Sequence, residues 1–218
     1  PGGGLYNTPG TLTLNNSPLS GNTASTSGGG IYGNYGTLTL NNSTLSGNSA
    51  SYGGGIYGAG MLTLNNSTLS GNSAGSYGGG LYSSFGTFRL NNSTVSGNSA
   101  GSAGGIYKDG GTLAITNTIL AGNIGPDVLG TFSSKNSFTN GNLLLAPLGN
   151  YGGPTKSMLP LAGSPAIDAG DDSVTSFLSA DQRGYLRLSG THVDIGAVEL
   201  AVAPANNPPL LMNVGWSA

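Results

Sequence analysis

One pentapeptide recurs along the chain at an almost fixed interval: Gly-Gly-Gly-Leu-Tyr at 2–6, Gly-Gly-Gly-Ile-Tyr at 28–32 and 53–57, Gly-Gly-Gly-Leu-Tyr at 78–82, and Ala-Gly-Gly-Ile-Tyr at 103–107. Its apolar residue falls at Leu5, Ile31, Ile56, Leu81 and Ile106, so successive marks lie 26, 25, 25 and 25 residues apart. Most of the sequence between the marks repeats as well. A period of this size specifies a solenoid, in which each unit buries its apolar face only against the units stacked on either side.

Residues 28–50 serve as the type turn. Three strand-like pieces, each bounded by Gly or Asn, are expected around Ile31, over 37–40 and over 44–46. Strict alternation in Thr37-Leu38-Thr39-Leu40 sends both leucines to one face and both threonines to the other. Stacking then superposes like on like: Leu12, Leu38, Leu62, Phe88 and Leu113 form one column, and Leu14, Leu40, Leu64, Leu90 and Ile115 a second. Leu19, Leu45, Leu69, Val95 and Leu120 make a third, and the apolar residue of the glycine mark a fourth. Each large side chain is worth about 1.5–3 kcal/mol when fully buried, which these turns realise only with neighbours above and below. A helical alternative fails because Gly, Thr, Ser and Asn dominate and no 3.6-residue period is present.

Asparagine is equally periodic, at 16, 42, 66, 92 and 117 and again at 22, 48, 72, 98 and 123. Asparagine tolerates the left-handed backbone of a corner, and stacked amides bond along the axis at the ~4.8 Å strand spacing. Both sets are therefore expected to be structural ladders, in competition with N-glycosylation at sequons such as Asn42-Ser43-Thr44. The first turn starts at Pro1 with no capping segment ahead of it, so an open rung with Leu5 and Leu12 exposed is expected there.

Charge is scarce and one-sided. Only 6% of residues are charged, against roughly 25% in ordinary globular domains. All eight acidic residues lie at or after Asp109, and Arg89 is the only basic residue before Lys108. A net charge of −2 provides no basic face for nucleic acid. Low charge also removes the self-repulsion that keeps repeats apart, which favours association of copies. Without cysteine there is no disulfide or thiolate metal site. No apolar run approaches the ~20 residues of a membrane helix.

The alternation of Gly-Gly-Gly-Ile with Leu45-Ser46-Gly47-Asn48 resembles the repeats of right-handed parallel β-helices of the polymorphic outer membrane protein type, with Leu in place of that family's Phe. The resemblance covers residues 1–123. It implies an all-β, right-handed parallel β-helix with three short strands per turn, displayed outside the cell or on its surface.

Regular repetition stops after Asn123. The motifs 142–156, Gly163-Ser-Pro-Ala-Ile-Asp-Ala-Gly170, Asp181-Gln-Arg-Gly184 and Val193-Asp-Ile-Gly-Ala-Val-Glu199 are similar in content and order to a choice-of-anchor Q domain. Three regions are thus expected: regular turns over 1–123, irregular turns and a cap closing the end over 124–200, and a Pro-rich linker with an apolar tail over 201–218. In the cap, Asp168, Asp171, Asp172, Asp181, Arg183, Asp194 and Glu199 concentrate charge. A structural network with Arg183 bridging carboxylates is one reading; calcium held by Asp168, Asp171 and Asp172 is the sharper one, although no spaced loop signature is present.

No catalytic constellation emerges. The repeats lack the paired carboxylates of a glycosidase, and His192, the only histidine, has no marked nucleophile beside it. The glycine marks precede strands and not helices, so they are corners and not phosphate cradles. No cofactor is expected. Two surfaces are candidates for contact. Tyr6, Tyr32, Tyr57, Tyr82 and Tyr107 should form an outward aromatic ladder whose rings stack on one another, with contact to a polysaccharide or a neighbouring filament as the alternative. Leu5 and Leu12 at the first turn, with Leu210, Leu211, Met212, Val214 and Trp216 in the tail, are expected to join copies of the chain. The expectation is a non-enzymatic structural protein that self-associates into a fibre or surface array, with an adhesin or glycan-binding stalk as the alternative and a carbohydrate-active enzyme as the third reading.

Overall fold

The computed structural model describes residues 2–200. Among them the chain winds into a β-solenoid built from parallel sheets of ten, five and three strands. The five-stranded sheet, from Pro18–Ser20 to Ile119–Leu120, counts five turns. Register is residue for residue: Leu12 pairs with Leu38, Leu38 with Leu62, Leu62 with Phe88, and Phe88 with Leu113. The four apolar columns expected from the repeat all face inward. From Ile31 to Leu120 they form one continuous core of buried side chains.

Two of the expected strand pieces prove to be one. The stretch around Ile31 and the stretch over 37–40 belong to a single strand, Ile31–Asn41, in the ten-stranded sheet, interrupted only by a bulge between Asn34 and Thr37. The remaining sheet comes from Ser49–Tyr52, Ser73–Tyr77 and Ser99–Ser102, a segment with no large inward side chain to announce it. Its inward residues in the earlier two strands are Ala50 and Ala74, both buried. Here the third wall of each turn closes tightly on a small residue.

The asparagines divide into two kinds. Asn16, Asn42, Asn66, Asn92 and Asn117 have φ between 42° and 52° and turn the corner between the first two sheets. Asn22, Asn48, Asn72 and Asn98 each donate an amide N–H to the Oδ1 of the next, at 2.9 Å in every case. Asp127 Oδ1 accepts from Asn123 at 2.8 Å and terminates that row. A further row, unforeseen from the repeat, runs on the outside: Asn41 donates to Asn15 at 2.8 Å, and Asn65 to Asn41 and Asn91 to Asn65 at 2.9 Å. The two rows donate in opposite directions along the axis, so their amide dipoles oppose one another.

Residues 124–138 add an irregular turn. Val128–Leu129 pairs with Ile106 and Tyr107, Ser133–Lys135 with Ala114–Thr116, and Phe138 bridges Ile119. The segment from 142 to 200, expected to close the end of the coil, instead runs along its side over the outer face of the five-stranded sheet. Thr155 donates to the Asn42 carbonyl, Asn66 donates to the Ala180 carbonyl, and the Ala197 amide donates to Thr94. Beneath this flank segment lies a second apolar core of Ile119, Ala121, Leu143, Ala166 and Ile195. Ile119 occupies the outward position held by Thr44, Thr68 and Thr94 in the preceding turns. That exchange of threonine for isoleucine is the sequence signal for a covered flank.

Candidate functional surfaces

The tyrosine ladder exists as a stack. Ring centroids from Tyr6 through Tyr32, Tyr57 and Tyr82 to Tyr107 are separated by 5.2, 5.0, 5.1 and 5.4 Å, with interplanar angles of 6°, 4°, 5° and 11°. In-register parallel strands impose this, because each ring inherits the strand spacing of its backbone. Both faces of each inner ring are therefore covered by neighbouring rings. The surface it offers is a row of ring edges and hydroxyls, whereas sugar stacking needs an open ring face. Tyr52 and Tyr77, not counted in the sequence reading, join the stack obliquely: Tyr77 lies 4.5 Å from Tyr107 at 36°, and Tyr52 meets Tyr82 edge-on at 5.9 Å. Burial and the nearby Asp109 carboxylate push Tyr82 up to about 12, and its hydroxyl donates to Asp109 Oδ2 at 3.3 Å. At neutral pH Tyr82 presents a protonated hydroxyl.

Leu5 and Leu12 of the first turn are half-buried, as are Leu14 and Leu19, whereas their counterparts in the next turn are buried. Leu210, Leu211, Met212, Val214 and Trp216 lie outside the described residues.

The three carboxylates considered for calcium do not converge. Asp168 Oδ1 accepts from the amides of Thr191 and His192. Asp171 pairs with Lys135 and accepts from the Ser173 amide, which caps the short 3₁₀ helix Asp172–Ser176. Asp172 accepts from the Val193 amide and contacts His192 Nδ1 at 2.9 Å. Among the described residues no group of three His, Cys, Asp or Glu side chains is placed to hold a metal. The hydrogen bond from Lys135 holds Asp171 down at about 2. His192 bonds Asp172, whereas Asp194, its near neighbour in sequence, is buried with Glu199.

The charge network expected around Arg183 has a deeper centre that sequence reasoning missed. Arg183 pairs with Asp181 at 2.9 Å, but Arg187 is the fully buried cation. Its guanidinium donates to the Asp194 carbonyl at 3.1 Å, to Glu199 Oε2 at 3.4 Å and to Asn66 Oδ1 at 3.3 Å. Glu199 also accepts from the amides of Asp194 and Ser189. Burial nonetheless pushes Glu199 up to about 7 and raises Asp194. Gln182, also buried, donates to Thr44 and Thr155 and accepts from Thr68. Together these side chains rivet the flank segment to the second and third turns. In the Asn42 sequon, Ser43 and Thr44 are buried, so that site is not laid out as an exposed acceptor.

Residues 66–84 match the family model described as the Chlamydia polymorphic membrane protein (Chlamydia_PMP) repeat. The matched span contains both halves of the repeat, Leu69-Ser70-Gly71-Asn72 of the amide ladder and Gly78-Gly79-Gly80-Leu81 of the corner. The architecture and this match agree on a repeat-built β-solenoid. No curated protein and no solved structure matches the chain significantly. No helix among the described residues is long and apolar enough to cross a membrane.

Proposed function

We propose that the protein is a non-enzymatic, extracellular or cell-surface structural protein, a neutral β-solenoid rod that associates with copies of itself. The observation that carries this reading is the near absence of charge over the regular turns, where Arg89 is the only charged residue before Lys108, beside an outward row of stacked tyrosines. Low charge leaves little repulsion between copies, and the stacked tyrosine edges give a flat lateral contact. Placement at the surface is supported by the repeat type matched at 66–84, whose family model names a membrane protein of Chlamydia.

Electron microscopy and light scattering of the full chain test the assembly. Fibres or arrays that grow with concentration are expected; dispersed monomers at high concentration, with or without residues 201–218, would overturn the reading. Surface placement predicts that protease added to intact cells removes the protein.

The adhesin alternative rests on the row of ring edges and hydroxyls that the tyrosine ladder presents. Replacing Tyr32, Tyr57 and Tyr82 by alanine separates the two: loss of polysaccharide retention with assembly intact favours the adhesin, and loss of assembly favours the structural rod.

A further inference from the structure

The repeat is broken at one place on the outer face of the ten-stranded sheet. Ile31 pairs with Ile56 twenty-five residues on, yet Asn41 and Asn65 are only 24 apart and Asn65 and Asn91 are 26 apart. The third turn has lost one residue between Ile56 and Met61, and the fourth regains it before Thr87. At the lost position the second turn bulges, leaving Tyr35 and Gly36 against a single Gly60. The result is a notch of about 490 Å³, floored by Gly60 and walled by Tyr35, Met61, Thr37 and Thr87. Nothing larger than glycine fits at the floor, since a Cβ on Gly60 would stand 2.3 Å from the Gly36 carbonyl.

Tyr35 is the residue that demands an explanation. Its φ is 57°, in the left-handed region, and it is 78% exposed. Every other non-glycine residue in that region is Asn, Asp, Ala or Leu among those described. The conformation costs an aromatic residue stability, and with so much of the ring in water little packing offsets the cost. Bulges re-aim side chains beside binding sites, and uncompensated backbone strain clusters where a ligand is held. Unlike the ladder tyrosines, Tyr35 takes part in no ring stack, so a face of its ring is available. Met61, half exposed, supplies an apolar contact opposite, and no charged side chain lines the notch.

We propose that this notch binds an uncharged sugar unit of a polysaccharide, with the pyranose ring laid on Tyr35 and its hydroxyls met by Thr37, Thr87 and the backbone about Gly60. A ring face for the apolar side of a sugar, hydroxyls for its rim and the absence of charge fit a neutral glycan and leave an anionic one without a counter-charge. The site is separate from the surfaces assigned to assembly.

Affinity electrophoresis of the full chain tests it, with native gels cast with hydroxyethylcellulose, mannan or dextran and with carboxymethylcellulose as the anionic counterpart. Retardation by at least one neutral polymer is expected, reduced at least tenfold in apparent affinity by Tyr35→Ala and kept by Tyr35→Phe and by Phe177→Ala, an exposed aromatic on the flank. Tyr35→Asn supplies the residue type that adopts this backbone at Asn42 and Asn66, so it should raise the melting temperature while abolishing retardation. No retardation by any neutral polymer, retardation by carboxymethylcellulose alone, or equal retardation of Tyr35→Ala would overturn the proposal. Each outcome is read on monomer or assembly alike, so it is independent of whether copies associate.

Discussion

The regular turns and the flank segment solve the same problem, burying polar groups, by opposite means. In the turns, the inner amide ladder answers each group with its equivalent one turn away, Asn48 bonding Asn72 and Asn72 bonding Asn98, and the apolar columns stack like on like. In the flank, Arg187 meets Glu199, Asn66 and the Asp194 carbonyl in an arrangement that is not repeated among the described residues. Redundant ladders tolerate local change because neighbouring turns keep the wall continuous. A one-off buried ion network has no such reserve.

The strongest way to break the comparison is Arg187→Met. It leaves Glu199, Asp194 and Asp181 buried with only Arg183 as counter-charge, and removing one partner of a buried pair costs about 3–5 kcal/mol. The expected outcome is a flank segment that proteases cleave between 142 and 200 while the regular turns resist; equal loss of both regions in urea unfolding would contradict a separate rivet. In the turns, Leu64→Ala should cost about 2–5 kcal/mol, measured by urea unfolding, because Leu64 is fully buried in the middle of its column.

Asn72→Ala comes next, at about 1–3 kcal/mol, since it strands the Asn48 amide and the Leu45 carbonyl inside the coil. The matching change in the outer row, Asn65→Ala, should fall below about 1 kcal/mol because water replaces its partners. A difference of that sign between two ladders of like geometry isolates burial as the cause.

The pH dependence in the acidic to neutral range should also divide the two regions, because Asp109 is the only carboxylate of the regular turns. Glu199 is raised from 4.5 to about 7, so the folded flank holds a proton that the unfolded chain releases, and its stability falls as pH rises across that window. Asp171 is lowered from 3.8 to about 2, so its contribution is present above pH 3.8 and is lost as pH falls towards 2. Thermal melts followed at the flank by proteolysis should show both slopes, and melts of the repeat core should be nearly flat over the same range.

Much of the solenoid was legible from the repeat because stacking makes sequence identity and spatial adjacency the same thing. The glycine marks gave the period, the Thr-Leu alternation gave the inward face, and both held in register. The wall over 49–52 escaped because alanine carries little hydrophobic signal, and the outer Asn41–Asn65 row escaped because its amides lie one residue before the asparagines that turn the corner. Ile119 was a readable clue to the covered flank, an apolar residue where threonine recurs.

The chain's own order of residues therefore determined the period, the core columns and the buried amide ladder, since each depends on a contact between equivalent positions. Tertiary structure alone decided that the segment after 142 lies along the side, and that Arg187 and not Arg183 is the fully buried cation. It also decided that one missing residue leaves Tyr35 strained beside an open notch. The physical reason is the same in each case: these features arise from meetings between non-equivalent positions, and a repeat carries no information about what its non-repeating neighbour will touch.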